Sequence, residues 1–285
     1  MIPVWDEPYA ELLSRAVTSV QAQQGDVPVV VVDNASDVEL PVLASTTVVS
    51  SSTRLTAGSA RNVGLEQVRT EYVIFLDADD ELATGALGTL QQGIGADPGI
   101  AVFAMSLIEA ETGRRHRTPR RFVAGLARRR RLFALATSLW SLYPIQGCAI
   151  MRTALVRESG GYGDCDGGED WVLAASQAFR GRVVVDRRPG LVYHGRPGSL
   201  WRESRGTADL LAAARRVRDR LRTDAAVPAW VRATLPLLGV LQAGLIVVVR
   251  PVYRALRGLL RGRRARRQAT TAAGNSSSMR NGRST

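Results

Sequence analysis

The 285-residue sequence contains no lysine, so all 38 of its basic residues are arginine. It has only two cysteines, Cys148 and Cys165, too far apart for CxxC chemistry and too few for a secreted disulfide framework. Both are expected to be reduced thiols in a cytosolic compartment. The opening MIPVWDEPYAELL lacks a basic segment and a long apolar segment, which argues against a signal peptide and places the bulk of the chain in the cytoplasm. No internal repeat is detectable. With 45% apolar and 22% charged residues, the composition excludes disorder throughout and suits one large domain or two small ones.

What the chain has in excess is charge, unevenly distributed. Residues 1–113 hold 4 Arg against 16 Asp plus Glu, a net of −12, whereas residues 114–285 hold 34 Arg against 10 acids, a net of +24. The overall +12 is therefore an average of two different surfaces.

The first half alternates strand and helix. A short apolar run from Ile2 ends at Asp6 and Glu7, either of which can cap a helix to about Gln24, with Pro8 in its first turn and Leu12, Leu13, Ala16, Val17 and Val20 on its buried face. The apolar run Pro28 to Val32, with uninterrupted valines after the proline, predicts a strand buried on both faces, hence a parallel, helix-covered sheet. TTVVSS predicts a weaker strand, TAGSARNVGLEQVR a helix capped by Thr56, and EYVIFLDADDEL a strand that stops at acids. This alternation predicts a doubly wound α/β layer, in which ligands bind at the carboxyl ends of the strands, the edge where Asp33 and Asp77 to Asp80 lie. A further strand is expected over 100–107, then a basic loop or helix. A Gly-rich turn, ESGGYGDCDGGED, leads to a helix from about Asp170, strands VVVD and GLVYH follow, and a helix covers roughly 207–222.

Chemistry is expected first at LDADD, residues 76–80. An Asp-x-Asp at a strand end offers the oxygen ligands that hard cations such as Mg²⁺ or Mn²⁺ prefer, and a nucleotide diphosphate supplies the rest. The competing reading is a polar turn in which Asp79 or Asp80 caps the next helix. Where the Gly-rich turn enters a helix, Glu169 and Asp170 meet free backbone N–H groups; simple capping there lowers a carboxylate pKa.

Taken in order, IPVWDE, VVDNASD, AGSARNVGL, LDADD and GGEDW resemble the signatures of family 2 glycosyltransferases over about residues 1–200. The resemblance implies a GT-A fold, a mainly parallel central sheet flanked by helices, here with a C-terminal helical extension. It implies inverting, metal-assisted transfer from a nucleotide-sugar donor to an acceptor hydroxyl; the membrane attachment argued below suits a saccharide or lipid-linked acceptor in cell-envelope polysaccharide or glycolipid synthesis. By resemblance, Pro3 and Trp5 line the base and ribose pocket, Asp33 accepts a hydrogen bond from the base, Arg61 sits near the nucleotide, Asp77 touches ribose, and Asp79 holds the metal. Asp170 is the general base and Glu169 an orienting or acceptor-binding group. From the residues alone, Asp33 also suits an Asx turn and Arg61 a solvated helix position. The stretch YHGRPGS is similar to a family YRxHxGS segment with His and Arg exchanged, so His194 is either a metal ligand or a hydrogen-bonded structural histidine. Trp5-Asp6 stands where Tyr-Asn is usual, and the clipped first strand suggests a start downstream of the true one.

The basic half has three candidate partners: nucleic acid, anionic lipid or an acidic acceptor. Runs such as GRRHRTPRR and ARRRR interleave almost no aromatics, which argues against nucleic acid. Residues 233–249 are 17 without a charge, at the lower limit for spanning, and Val252, Leu256, Leu259 and Leu260 oppose Arg254, Arg257 and Arg261 as in an interfacial helix. Peripheral or re-entrant attachment at the inner face of the cell membrane is expected, with a helix pair packed on the domain or in a dimer as the alternative. The expected organisation is a nucleotide-sugar-binding half (1–113), an acceptor-binding half with the ED pair (114–205), a membrane-associating extension (206–267) and a disordered tail (268–285). Two other functions remain open at this level: a nucleotidyltransferase, and a non-catalytic polyanion- or membrane-binding module.

Overall fold

The computed structural model describes residues 1–41, 43–113, 115–116, 121–195 and 206–249. Val29 to Val32 form the centre of a parallel three-stranded ladder, in the order β1 (Ile2–Val4), β2 (Val29–Asn34), β3 (Thr46–Ser51). All four valines are buried, as their unbroken run demands, while β3 at the edge is half exposed. Register places Val4 opposite Asp33, so Trp5 and Asp33 reach the same carboxyl edge. Helix α1 (Asp6–Gln21) buries Leu13, Ala16, Val17 and Val20 against this sheet, with Leu12 only half buried. It ends three residues earlier than expected, and neither Asp6 nor Glu7 caps it: Trp5 is its N-cap, without a side-chain bond.

Helix α2 (Ala57–Gln67) starts as the sequence predicts, with the Thr56 hydroxyl accepting from the Ser59 N–H at 3.2 Å. The expected strand over 71–82 divides. Its ends are β4 (Tyr72–Val73) and β5 (Glu81–Leu82), and the acids between them turn, with the Asp80 N–H bonded to the Asp77 carbonyl. Residues 74–76 nevertheless join the two sheets: the Met1 N-terminus donates to the Ile74 carbonyl, the Leu76 N–H to the Met1 carbonyl, and the Gly147 N–H to the Phe75 carbonyl.

The second sheet is mixed. Its order is β4, β8 (Ala149–Arg152), β6 (Ile100–Glu109), β9 (Arg182–Tyr193), β5, with β7 (Arg115–His116) paired to β6. Only β6 and β9 are parallel; VVVD and GLVYH fuse into the single strand β9, its register to β6 shifted by bulges. Helix α3 (Ala86–Gly95) packs on β6, β8 and β9, and α4 (Arg121–Ala127) on β9. Helix α5 (Arg130–Leu139) packs on α7 (Glu169–Arg180), and the short α6 (Thr153–Glu158) adjoins both β8 and α7. Asp79 and Asp80 cap no helix, since α3 begins after Gly85.

Two compact units divide the chain, Met1–Gly239 and Val240–Thr285. In the first, α8 (Thr207–Thr223) buries Ala213, Ala214, Val217 and Leu221 and packs on α7, so part of the stretch read as an extension is an integral layer of the α/β unit. The Arg180 guanidinium forks onto the buried Asp224 carboxylate at 2.6 and 2.9 Å just beyond it. Helix α9 (Ala229–Gly244) contains Pro236 and continues as one π-turn, Leu245–Val249. Over Ala229–Val248, 20 residues of mean hydropathy 1.8, it is long and apolar enough to cross a membrane by length and composition. The amphipathic stretch after Arg250 and the tail from 268 lie outside the described residues.

Candidate active site

Helix α2 assembles the site, and each residue of its AGSARN run has a distinct task. A Cβ at Gly58 would lie 1.7 Å from the Gly163 carbonyl oxygen, so only glycine lets α2 approach the Gly-rich turn this closely. Ala60 is fully buried. The Asn62 amide clamps Tyr162, donating to its carbonyl at 3.1 Å and accepting from its N–H at 2.9 Å. The first turn of α2 is anchored by acids of the Gly-rich turn: Asp164 accepts from the Ser59 and Thr56 hydroxyls, which lowers its pKa, and Asp166 accepts from the Ala57 N–H.

Arg61 is the link between the two acidic motifs. Only 4% exposed, it is no solvated helix residue. One amino group meets Asp77 Oδ1 at 2.6 Å, the other Glu169 Oε1 at 3.0 Å, and its plane lies over the Tyr162 ring at 5.2 Å. Burial works against its charge, but Asp77 and Glu169 outweigh burial and hold it protonated. Residues 92 or more positions apart in sequence thereby share one cation.

Around this link, ligand oxygens of Asp77, Asp79 and Asp80 lie within 4.8 Å of one another. An all-oxygen donor set suits Mg²⁺ or Mn²⁺. Asp80 is 4% exposed, and burial first, then the charges of Asp79 and Asp77, push its pKa well above the carboxylate range. Crowding of this kind is what a divalent cation relieves, so the residues fit such an ion. The turn is held from both sides. Arg15 of α1 donates to the Asp79 carbonyl at 2.9 Å and pairs with Glu81 at 3.0 Å. The His194 N–H donates to Asp80 Oδ1 at 3.0 Å, and its Nε2 lies 2.7 Å from Glu81. His194 thus packs beside the acid cluster as a hydrogen-bonded residue and is not one of the three acids that compose it. Arg196 lies outside the described residues.

Glu169 and Asp170 open α7 after Gly168, whose φ of +81° is a left-handed turn favoured by glycine. They differ in setting. Glu169 is buried against Arg61, and burial, opposed by Arg61 and reinforced by Asp170, pushes its pKa up to about 7. Simple capping predicts the opposite direction. Asp170 is half exposed and accepts from the Trp171 N–H at 2.7 Å. Helix α8 braces the turn from outside: Arg220 donates to the carbonyls of Ser159, Gly161 and Tyr162, and Arg216 to that of Gly167.

At the other end of the edge, Pro3 is buried in β1, and Trp5 stacks with Tyr9 at 4.5 Å beneath Arg54, which also forks onto Asp6. Asp33 accepts from the Ser36 N–H at 3.0 Å, the Asx turn that the residues alone allowed, and Asn34 clamps both backbone groups of Leu55. Cys148 and Cys165 are both buried, and neither is in a disulfide. Sequence reasoning missed Arg15, Glu81, Asn62 and Arg220. For Arg15 a signal existed: it is one of only four arginines in an acidic half.

A family model described as "Glycosyl transferase family 2" matches residues 1–160. The succinoglycan biosynthesis protein ExoO of Rhizobium meliloti (strain 1021) is 29% identical over 214 residues, 68% of this chain and 60% of that protein. A GalNAc(5)-diNAcBac-PP-undecaprenol beta-1,3-glucosyltransferase of Campylobacter jejuni is 54% identical over 52 residues, 18% of this chain and 16% of that enzyme. The chain therefore spans less than two thirds of either relative. Among solved structures, S. aureus TarS 1–349 in complex with UDP-GlcNAc superposes with a TM-score of 0.61 at 16% identity, over 82% of this chain and 68% of that one. The mannosyltransferase PcManGT of Pyrobaculum calidifontis, in complex with GDP-Man and Mn²⁺, gives 0.59 at 18% identity, over 93% and 78%. The likeness establishes the GT-A fold.

Proposed function

Since this chain belongs to glycosyl transferase family 2, we propose that it is a glycosyltransferase that moves a glycosyl group, with inversion and metal assistance, from a nucleoside-diphosphate sugar to a hydroxyl of a saccharide or lipid-linked envelope acceptor. The observation that supports this most is Arg61, which ties the donor-side Asp77 to the acceptor-side Glu169 and so makes one site of two motifs. Residues 1–113 serve the donor: Pro3, Trp5 and Asp33 form its base and ribose pocket, with Asp77 toward the ribose. Residues 114–205 serve the acceptor.

The roles follow from burial and charge. Asp79, with its acidic neighbours, would hold Mg²⁺ or Mn²⁺, and such an ion would supply charge compensation for the departing diphosphate. Asp170, half exposed at the head of α7, takes the proton of the acceptor hydroxyl as its oxygen attacks the anomeric carbon and the bond to the diphosphate breaks. Glu169 is too enclosed to reach a bulky acceptor and instead orients the site through Arg61. Arg61 itself is spent on carboxylates, so its contribution to the nucleotide is indirect, through the position of Asp77.

An envelope acceptor would be met at the inner face of the cell membrane, and the composition of the apolar helix Ala229–Val248 supports a peripheral or re-entrant attachment there. Asp79→Ala and Asp170→Asn are each expected to abolish transfer while leaving the thermal unfolding midpoint in place, with a nucleoside diphosphate, not pyrophosphate, as the wild-type co-product. Wild-type turnover in either variant would overturn the assigned roles. Calorimetry with nucleoside diphosphates, with and without Mn²⁺, checks the metal: binding is expected to tighten when Mn²⁺ is present.

A further inference from the structure

Between Glu111 and Glu158 the sequence runs 46 residues, 112–157, without a single carboxylate, while placing 11 arginines there. Five of these, Arg121 and Arg128 to Arg131, lie on α4, α5 and the tight turn between them, and all five are exposed. Arg130 donates to the Phe179 carbonyl; the guanidinium groups of Arg128, Arg129 and Arg131 have no carboxylate partner among the described residues. The inner faces of these helices are fully used, by Val123 and Ala127 on α4 and by Phe133, Ala134, Thr137 and Ser138 on α5. Outward they present Phe122 and Leu132, at 60% and 48% exposure, and the residue that ends α5, Trp140, is 47% exposed. Large apolar side chains beside unpaired arginines are costly to leave in water and have no role in the site described above.

We propose that this outer face of α4–α5 is a docking surface for an anionic phospholipid bilayer. A bilayer fits better than a folded protein partner because the positive charge is permanent, concentrated and unpatterned, which suits a fluid sheet of phosphates that rearranges around it. Phe122, Leu132 and Trp140 then insert at the headgroup boundary, as interfacial side chains do. The face is also coupled to the chemistry. The Trp171 Nε1–H donates to the Thr137 carbonyl at 2.6 Å, fastening α5 to the helix that begins with Glu169 and Asp170. Docking on α5 therefore sets how that helix addresses an acceptor at the membrane. This deepens the membrane reading made above for Ala229–Val248 but stands on different residues.

The test uses the full chain and vesicles, with no donor or acceptor. Wild type is expected to co-sediment with phosphatidylcholine vesicles containing phosphatidylglycerol and far less with phosphatidylcholine alone. Arg128→Glu/Arg129→Glu/Arg131→Glu is expected to weaken that partitioning at least about 100-fold, with three surface arginines involved, while its unfolding midpoint and nucleoside-diphosphate binding stay as in wild type. Brominated lipid is expected to quench wild-type tryptophan fluorescence more than that of Trp140→Phe, which reports insertion directly. Undiminished partitioning of the triple variant, equal quenching in Trp140→Phe, or wild-type preference for single-stranded DNA over anionic vesicles overturns the proposal. A wild-type chain that partitions but, in a separate assay supplied with nucleotide sugar and acceptor, transfers no glycosyl group overturns the functional reading instead, so the two failures are separable.

Discussion

Arg61 illustrates how one side chain makes a site out of distant motifs, and its energetics are testable. Removing one member of a buried ion-pair set leaves the others uncompensated, at a cost of about 3–5 kcal/mol. Arg61→Met is expected to destabilise the protein by that amount in urea unfolding, because Asp77 and Glu169 lose their shared cation. Adding Glu169→Gln should recover part of the loss, since one of the two stranded charges is gone; strict additivity would show that the groups do not interact. Glu169 also imposes a pH dependence. Its pKa is raised on folding from 4.5 to about 7, so the folded state holds the proton more tightly. This stabilising term is fully present below about pH 4.5 and is lost as pH rises to about 7. Compared with wild type, Glu169→Gln should show a flatter decline in unfolding midpoint across that window. A lysine in place of Arg61 offers one compact charge rather than a fork and should not bridge both acids, so Arg61→Lys should lower kcat more than it raises donor KM.

At the scale of elements, the glycines of α2 and α3 are opposites although both sit in helices. Gly58 faces the Gly163 carbonyl with no room for a Cβ, whereas nothing lies within 4 Å of a Cβ at Gly88. Gly58→Ala should cost ~1–3 kcal/mol by forcing α2 off the Gly-rich turn, and transfer should fall with it because Arg61 rides on that helix. Gly88→Ala should instead stabilise by about 0.5–1 kcal/mol with activity unchanged, through helix propensity and a less flexible unfolded chain. Paired unfolding curves and turnover measurements separate these outcomes. Most elements were legible locally: the β2 valines, the Thr56 cap and the α7 start all follow from short-range pattern. The strand through LDADD was not, since its middle pairs with Met1 and Gly147, partners far away in sequence, and its acids must turn to face the site.

At the scale of the whole molecule, the division between an acidic and a basic half is the organising feature. In the acidic half arginine is scarce and each one is placed: Arg15 and Arg61 hold the acidic turn, Arg54 holds Asp6, and Arg69 closes on the Glu66 carbonyl. In the basic half the exposed surplus on α4–α5 faces solvent. Attraction of that surplus to anionic vesicles should fade as salt rises from 0.1 to 1 M, where the screening length drops from about 10 to about 3 Å. Nucleotide affinity should change less over that range, because the acids proposed to serve it, Asp33, Asp77 and Asp79, are half buried rather than spread over an exposed face. Vesicle co-sedimentation and calorimetry in the same salt series check both.

By itself the sequence determined the family, the alternation of strand and helix, the acidic strand ends and the charge asymmetry, because those are carried by neighbouring residues and by counts. Tertiary structure alone decided which carboxylate is buried and which is half exposed at the ED pair, that Arg61 spans two motifs, that Arg15 and Glu81 hold the acidic turn, and that α8 braces the Gly-rich loop. Those outcomes depend on burial and on distances between residues remote in the chain. No periodicity encodes them, because desolvation and ion pairing act only once the helices have closed on the sheet.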